Sequence, residues 1–231
     1  MAKILMVVTG SDIWTLADGT AHPSGYWAEE VAAPYRAFTE AGYDVVVATP
    51  GGVEPTMDPA SLAPELNDGQ ENADAIAALL AGVAALKQPV ALEDVRLDDY
   101  AGVFYPGGHG PMEDLAVNAA SGALLIEALS SGKPLGIVCH GPAALLATAD
   151  VEGGSPFAGR RVTAFSNAEE TQAGFADRAP WLLQDRLVAL GVDFQEGEPW
   201  APHIVADGNL YTGQNPASAA PLAARFVTAL G

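Results

Sequence analysis

The chain has 231 residues, with 10 Lys and Arg against 29 Asp and Glu, a formal net charge of −19 and 49% hydrophobic residues. That is ample apolar material for a sizeable core, while the acidic balance disfavours nucleic-acid backbones and anionic membrane surfaces as partners. The single cysteine, Cys139, excludes an intramolecular disulfide and any zinc site built from several thiolates, and is most simply at home in a reduced, cytoplasmic setting.

In chain order, residues 4–8 form an apolar run that reads as a first strand and is too short for a signal-peptide core. Gly25-Tyr26-Trp27-Ala28-Glu29-Glu30 then opens a helix expected over 27–41. A carboxyl group here can reach the carboxyl edge of the sheet, which makes Glu30 a candidate general acid/base, since an apolar cleft raises a carboxyl pKa toward neutrality. The same two glutamates also suit a helix N-terminus as solvated charges, and spacing alone favours that role. A second strand is expected over 44–48. Residues 49–89 are longer than an ordinary connection, rich in Pro, Gly and Asp and then helical over 73–86, so they read as an extended segment within one domain covering 1–231. The longest apolar stretch, 75–86, falls short of the ~20 residues of a membrane helix.

A strand over 103–105 ends in Tyr105-Pro106-Gly107-Gly108-His109-Gly110, a turn whose amides can approach a ligand closely, with Gly107 and Gly108 the candidates for an oxyanion hole. After a helix over 122–131 and a strand over 135–138 comes Gly136-Ile137-Val138-Cys139-His140-Gly141-Pro142. This is a strand–turn–helix elbow, with Pro142 suited to the first position of a helix over 142–148. The elbow places Cys139 at a strand's carboxyl end, next to His140, and a helix N-terminus there predicts a thiolate near neutral pH. An isolated cysteine also serves as a small core hydrophobe; the histidine, the turn and the strand end argue for a nucleophile.

Beyond a strand over 162–164, Phe165-Ser166-Asn167-Ala168-Glu169-Glu170-Thr171 supplies a carboxylate to orient His140, and spacing does not choose between Glu169 and Glu170. Helices over 180–190 and 217–230 and a strand over 210–212 complete the pattern. Near-continuous apolar strands alternating with alanine-rich helices predict an α/β fold with a mostly parallel central sheet sandwiched by helices. His22, His109 and His203 lack the spacing of helical zinc ligands, and no P-loop or dinucleotide fingerprint is present, so neither a metal nor an organic cofactor is expected.

The Gly107-Gly108-His109-Gly110 turn, the Cys139-His140-Gly141-Pro142 elbow and Glu30 together resemble the ThiJ/PfpI superfamily, relatives of the class I glutamine amidotransferases. Asp18-Gly19, the stretch from Gly25 to Glu30, the stretch from Phe165 to Thr171, and Gly213-Gln214-Asn215-Pro216-Ala217-Ser218 are most similar to its branch of heat-inducible chaperones and glutathione-independent glyoxalases. The resemblance implies a flavodoxin-like fold with Cys139 as nucleophile, Glu30 as its proton partner, and His140 with Glu170 completing a triad. It implies a small 2-oxoaldehyde such as methylglyoxal as substrate, a 2-hydroxy acid as product, no cofactor, a homodimer, and unfolded proteins as further clients of a holdase or redox sensor. The superfamily's proteases share the elbow, which leaves thiol-dependent hydrolysis as an alternative. A glutaminase is disfavoured, because His203 is followed by Ile204-Val205 where those enzymes carry a His-x-Glu pair.

Overall fold

The structure, a computed structural model, describes residues 2–149 and 151–231. Its strands are β1 (Lys3–Val7), β2 (Ile13–Thr15), β3 (Ala21–Pro23), β4 (Asp44–Thr49), β5 (Val90–Ala91), β6 (Gly102–Tyr105), β7 (Leu135–Val138), β8 (Arg161–Val162), β9 (Asp193–Phe194), β10 (Ile204–Asp207) and β11 (Leu210–Gly213). The helices are α1 (Ala28–Glu40), α2 (Gln70–Gly82), α3 (Ala84–Lys87), α4 (Gly110–Glu113), α5 (Ala119–Ser131), α6 (Asn167–Gln172), α7 (Leu183–Leu190) and α8 (Ala219–Leu230).

Seven strands form the central sheet in the order β10-β11-β7-β6-β1-β4-β5. All neighbours run parallel except β10, which closes one edge antiparallel to β11. The expected mostly parallel α/β architecture is therefore what the chain adopts. From β1 the chain moves to one side through β4 and β5, then returns to the other side through β6, β7 and β11. A reversal of that kind opens a crevice at the strands' carboxyl ends, where such folds place their ligands.

Successive side chains on a strand point to opposite faces, and β6 shows how helices come to cover both. Phe104 packs edge-on to Phe226 of α8 at 5.8 Å and to Phe38 of α1 at 5.5 Å. Its neighbour Tyr105 faces the other way and meets Ser121 of α5 through their hydroxyls at 3.2 Å. Beyond the exposed Lys3 that opens β1, strands β1, β6 and β7 are buried throughout, from Leu5 and Met6 through Val103 and Phe104 to Leu135 and Ile137, as a sheet covered on both faces requires.

Three expectations need correction. Of the strand expected over 162–164 only Val162 lies in one, and it is outside the central sheet: β8 (Arg161–Val162) pairs with β9 in a separate two-stranded ribbon. The segment after the elbow, Gly141–Thr148, is a 3₁₀ helix rather than an α-helix. The long helix expected over 73–86 is broken at Val83, whose extended backbone separates α2 from α3. Among the described residues no helix is long and apolar enough to cross a membrane.

Candidate active site

Cys139 follows the last residue of β7 with a left-handed backbone, φ +60°. A non-glycine residue is held there only when its surroundings over-determine it, and such strain clusters at functional sites. The surroundings are visible: the Cys139 amide donates to the Gly213 carbonyl at 2.9 Å, and its carbonyl accepts from the Phe165 amide at 2.9 Å. The thiol is 2% exposed and its Sγ lies 3.3 Å from His140 Nδ1.

Glu30, on the first turn of α1, is fully buried. It does not cap its own helix; its Oε2 instead accepts the Gly107 amide at 2.7 Å, and the Trp27 amide donates back to the Gly107 carbonyl at 3.2 Å. The turn after β6 and the start of α1 are thereby locked together beside the thiol. Burial pushes the Glu30 carboxyl up to about 8, against the smaller lowering effects of Cys139 and the Gly107 amide. Burial likewise pushes the Cys139 thiol well above its ordinary value, and the negative charge of Glu30 pushes it further. The expected thiolate near neutral pH is thus corrected. In this apolar site desolvation outweighs the dipole of one short 3₁₀ helix, and two facing acidic groups titrate as a pair that resists carrying two charges.

The choice left open between two glutamates is decided by geometry. Glu169 sits in the capping box of α6: its Oε2 accepts from the Ser166 amide and hydroxyl, while its Oε1 accepts from the Trp200 amide and from Asn215 Nδ2. Glu170 Oε2 meets His140 Nε2 at 2.8 Å, and its Oε1 meets His109 Nε2 at 3.0 Å. Burial alone would raise Glu170, but the charge His140 carries at the acid pH where this carboxyl titrates, and hydrogen bonds to His109 and His140, outweigh it and hold the carboxyl well below the usual carboxylate range. An ionised carboxylate only accepts, so both Nε2 atoms carry protons. Burial lowers the His140 pKa and favours the neutral ring, which leaves Nδ1 as a lone-pair acceptor facing the Cys139 sulfur.

His109 is the residue sequence reasoning passed over. It lies in the glycine turn, stacks on Trp14 at 4.2 Å with an interplanar angle of 8°, and holds the second oxygen of Glu170, with its ring 4.1 Å from that of His140. Among the described residues, His109, His140 and Glu170 are the cluster whose donor atoms could close on a metal ion, but here the carboxylate engages both Nε2 atoms itself.

Of the two amides expected as oxyanion donors, that of Gly107 is already occupied, and that of Gly108 is the one left beside the thiol. The Gly107 amide is engaged by Glu30, whereas the Gly108 amide favours the charged form of the Cys139 sulfur, against the larger opposing effect of burial. Gly107 must lack a side chain because a Cβ would stand 2.7 Å from the His140 nitrogen. At Gly108, φ is +87° and a Cβ would stand 2.3 Å from the Gly25 carbonyl oxygen. Gly108→Ala is therefore expected to cost at least ~2 kcal/mol. For a chain of this size that lowers the Tm by about 4–8 °C, measurable by differential scanning calorimetry; an unchanged Tm would show that the turn relaxes freely.

Glu170→Gln is expected to lower kcat by about 10²-fold, because an NH2 group replaces one of the two oxygens and cannot accept from the Nε2–H it faces, so the His109–His140 pair loses its fixed tautomers. The rate should recover partly in Glu170→Asp, which keeps the acceptor. A kcat equal to wild type in the glutamine variant would separate Glu170 from the reaction.

The model of the DJ-1/PfpI family matches residues 23–229. The chain belongs to this family. It is 29% identical to the glutathione-independent glyoxalase HSP31 of Saccharomyces cerevisiae, over 99% of this chain and 98% of that protein. It is 30% identical to the protein/nucleic acid deglycase HchA of Pseudomonas aeruginosa, over 93% of this chain and 76% of that protein. The crystal structure of glyoxalase III from Candida albicans superposes with a TM-score of 0.84 at 25% identity, covering 99% of this chain and 97% of the other.

Proposed function

We propose that this protein is a cysteine-dependent glyoxalase that converts 2-oxoaldehydes, methylglyoxal among them, to 2-hydroxy acids without glutathione. The observation that carries the reading is the buried pair of Cys139 and Glu30, a nucleophile that lines the cavity and a neighbouring carboxyl, fully buried and raised to about 8. The similarity to proteins named as glyoxalases supports the same chemistry.

In the proposed reaction the Cys139 thiol gives its proton to the site, and sulfur bonds to the aldehyde carbon, whose oxygen takes a proton to give a hemithioacetal. The Gly108 amide stabilises charge as it develops on this oxygen. Glu30, as carboxylate, removes the hydrogen from that same carbon and returns it to the neighbouring carbon through an enediol. The former aldehyde carbon is thereby oxidised to a thioester and the ketone carbon is reduced to an alcohol, so no outside oxidant or reductant is needed. Water then adds to the thioester, releasing the 2-hydroxy acid and restoring the thiol. His140, with Nδ1 open toward sulfur, relays the proton on and off Cys139, and the His109–Glu170 pair holds the ring in register.

Purified protein incubated with methylglyoxal, with neither glutathione nor added metal, is expected to form lactate in step with aldehyde loss. Aldehyde loss without lactate would mean that the thiol only traps its ligand and would overturn the reading; no reaction would point to another thiol-dependent hydrolase.

A further inference from the structure

We propose that the Cys139 cavity selects electrophilic carbonyl substrates whose substituent is bulky, apolar and free of negative charge, with Trp200 and Glu65 setting that choice. On the function proposed above, on which this inference rests, these are aryl or large alkyl 2-oxoaldehydes in preference to methylglyoxal.

Size comes first. The cavity holds about 590 Å3, within the ~300–1,000 Å3 of sites for drug-sized ligands, whereas methylglyoxal carries only a methyl group beyond its two carbonyls. Phe165, Phe175, Trp27, Trp200 and Leu66 line it together with Cys139. A small aldehyde leaves most of this apolar wall wet, while an aromatic ring dries it, and that differential burial favours the larger substrate.

The wall is also held in place. Trp200 has φ +64°; its amide is fixed by Glu169 at 2.9 Å and its indole Nε1 by Gln172 Oε1 at 2.6 Å. Its ring meets Phe165 edge-on at 5.5 Å. Yet Trp200 remains 42% exposed and Leu66 59% exposed, a large solvent-facing apolar surface at a cavity that contains the nucleophile. An aromatic wall already ordered loses little conformational freedom when a ligand covers it.

Charge decides the rest. Asp58 and Glu65 are the carboxylates lining the cavity, and among the described residues neither Lys nor Arg lines it. Asp58 is buried and engaged by the Ser24 hydroxyl and the Ala60 amide. Glu65 is exposed, beside Leu66. Of the lining histidines, His22 and His140 are pushed toward the neutral form by burial, and His109 is held by Glu170. Arg178 stacks over the Phe175 ring at 5.3 Å and is outside the lining. An anionic substituent therefore meets Asp58 and Glu65 with no lysine or arginine in the lining to offset them, in a chain of net charge −19, which is discrimination by repulsion.

Because Cys139 is the one thiol of the chain, its alkylation reports on the cavity independently of turnover. With rates normalised to free cysteine, iodoacetamide is expected to react at least about tenfold faster than iodoacetate, and phenacyl bromide at least about tenfold faster than bromoacetone. In turnover, kcat/KM for phenylglyoxal should exceed that for methylglyoxal by about tenfold or more, with 4-carboxyphenylglyoxal falling about tenfold below phenylglyoxal. Glu65→Lys should close much of the gap between those two aryl substrates, and Trp200→Ala should raise KM for phenylglyoxal more than it lowers kcat. Equal normalised alkylation by the neutral and anionic reagents, or methylglyoxal turned over as well as phenylglyoxal, would overturn the inference. Selective alkylation with no turnover of any aldehyde would instead overturn the glyoxalase reading and leave the selectivity standing.

Discussion

Cys139→Ala is expected to abolish lactate formation from methylglyoxal, a loss of at least ~10⁴-fold, while the protein stays folded. Alanine keeps the small apolar volume of the buried site, and its backbone occupies the same left-handed region at a cost similar to that of cysteine. What disappears is the one sulfur able to bond the aldehyde carbon, and neither His140 nor Glu30 can replace it: the ring nitrogen near that position belongs to the Glu170-anchored histidine, and Glu30 Oε2 is tied to the Gly107 amide. Lactate assay and circular dichroism on the same preparation make the comparison, and turnover within tenfold of wild type would remove Cys139 from the reaction.

Glu30→Gln is expected to separate two steps that Cys139→Ala removes together. The amide fits the same space and its oxygen can still accept from Gly107, so the thiol should still be alkylated and should still capture the aldehyde. Proton transfer between the two substrate carbons loses its base, and lactate formation should fall by about 10²–10⁴-fold. The pH dependence gives an independent check. Glu30 must be a carboxylate to remove the substrate hydrogen, so with its pKa raised to about 8 wild-type kcat should climb as pH rises through 8, and the residual activity of Glu30→Gln should lack that rise. Stability should move the opposite way. A carboxyl whose folded pKa lies above its ordinary value of 4.5 contributes stability that is complete below pH 4.5 and is lost as pH rises through 8. That loss amounts to about 4–5 kcal/mol. The glutamine variant carries no such titration, so its Tm should gain on that of wild type between pH 5 and pH 8.5. Parallel Tm curves for the two proteins would show that Glu30 is not held as a buried acid.

The parts of this site that can be read along the chain are those set by local backbone punctuation. A β-branched run closed by glycine or proline marks the carboxyl ends of β6 and β7, and Cys139, His140, Gly107 and Gly108 lie on that punctuation. Glu30 is different, because its burial and its bond to Gly107 join residues far apart in the chain, and nothing near it distinguishes it from a solvated helix-start glutamate. Glu169 and Glu170 were separable after all. Ser166 and Glu169 have the S-x-x-E spacing of a capping box, which commits Glu169 to the start of α6 and leaves Glu170 for His140. His109 depends on its stack with Trp14 from the β2–β3 hairpin, a contact no periodicity reports. The strands β5, β8, β9 and β10 are two to four residues long, too short to show alternation, so residues 162–164 could not be told from a sheet strand before their partner was seen.

The extended segment after β4 has a different relation to this machinery. It brings Asp58, Glu65 and Leu66 to the cavity and returns to the sheet only at β5, the two-residue strand on the outer edge. The acidic part of the substrate choice is thus written apart from the scaffold, while Trp27, Phe165, Phe175 and Trp200 reach the cavity from other stretches of the chain. Grafting the corresponding stretch of a relative between β4 and β5 would exchange one side of the cavity mouth as a cassette, leaving the order of the inner strands and the nucleophile's turn in place. A family that shares one reactive centre can diversify its ligands through such exchanges without refolding the sheet each time.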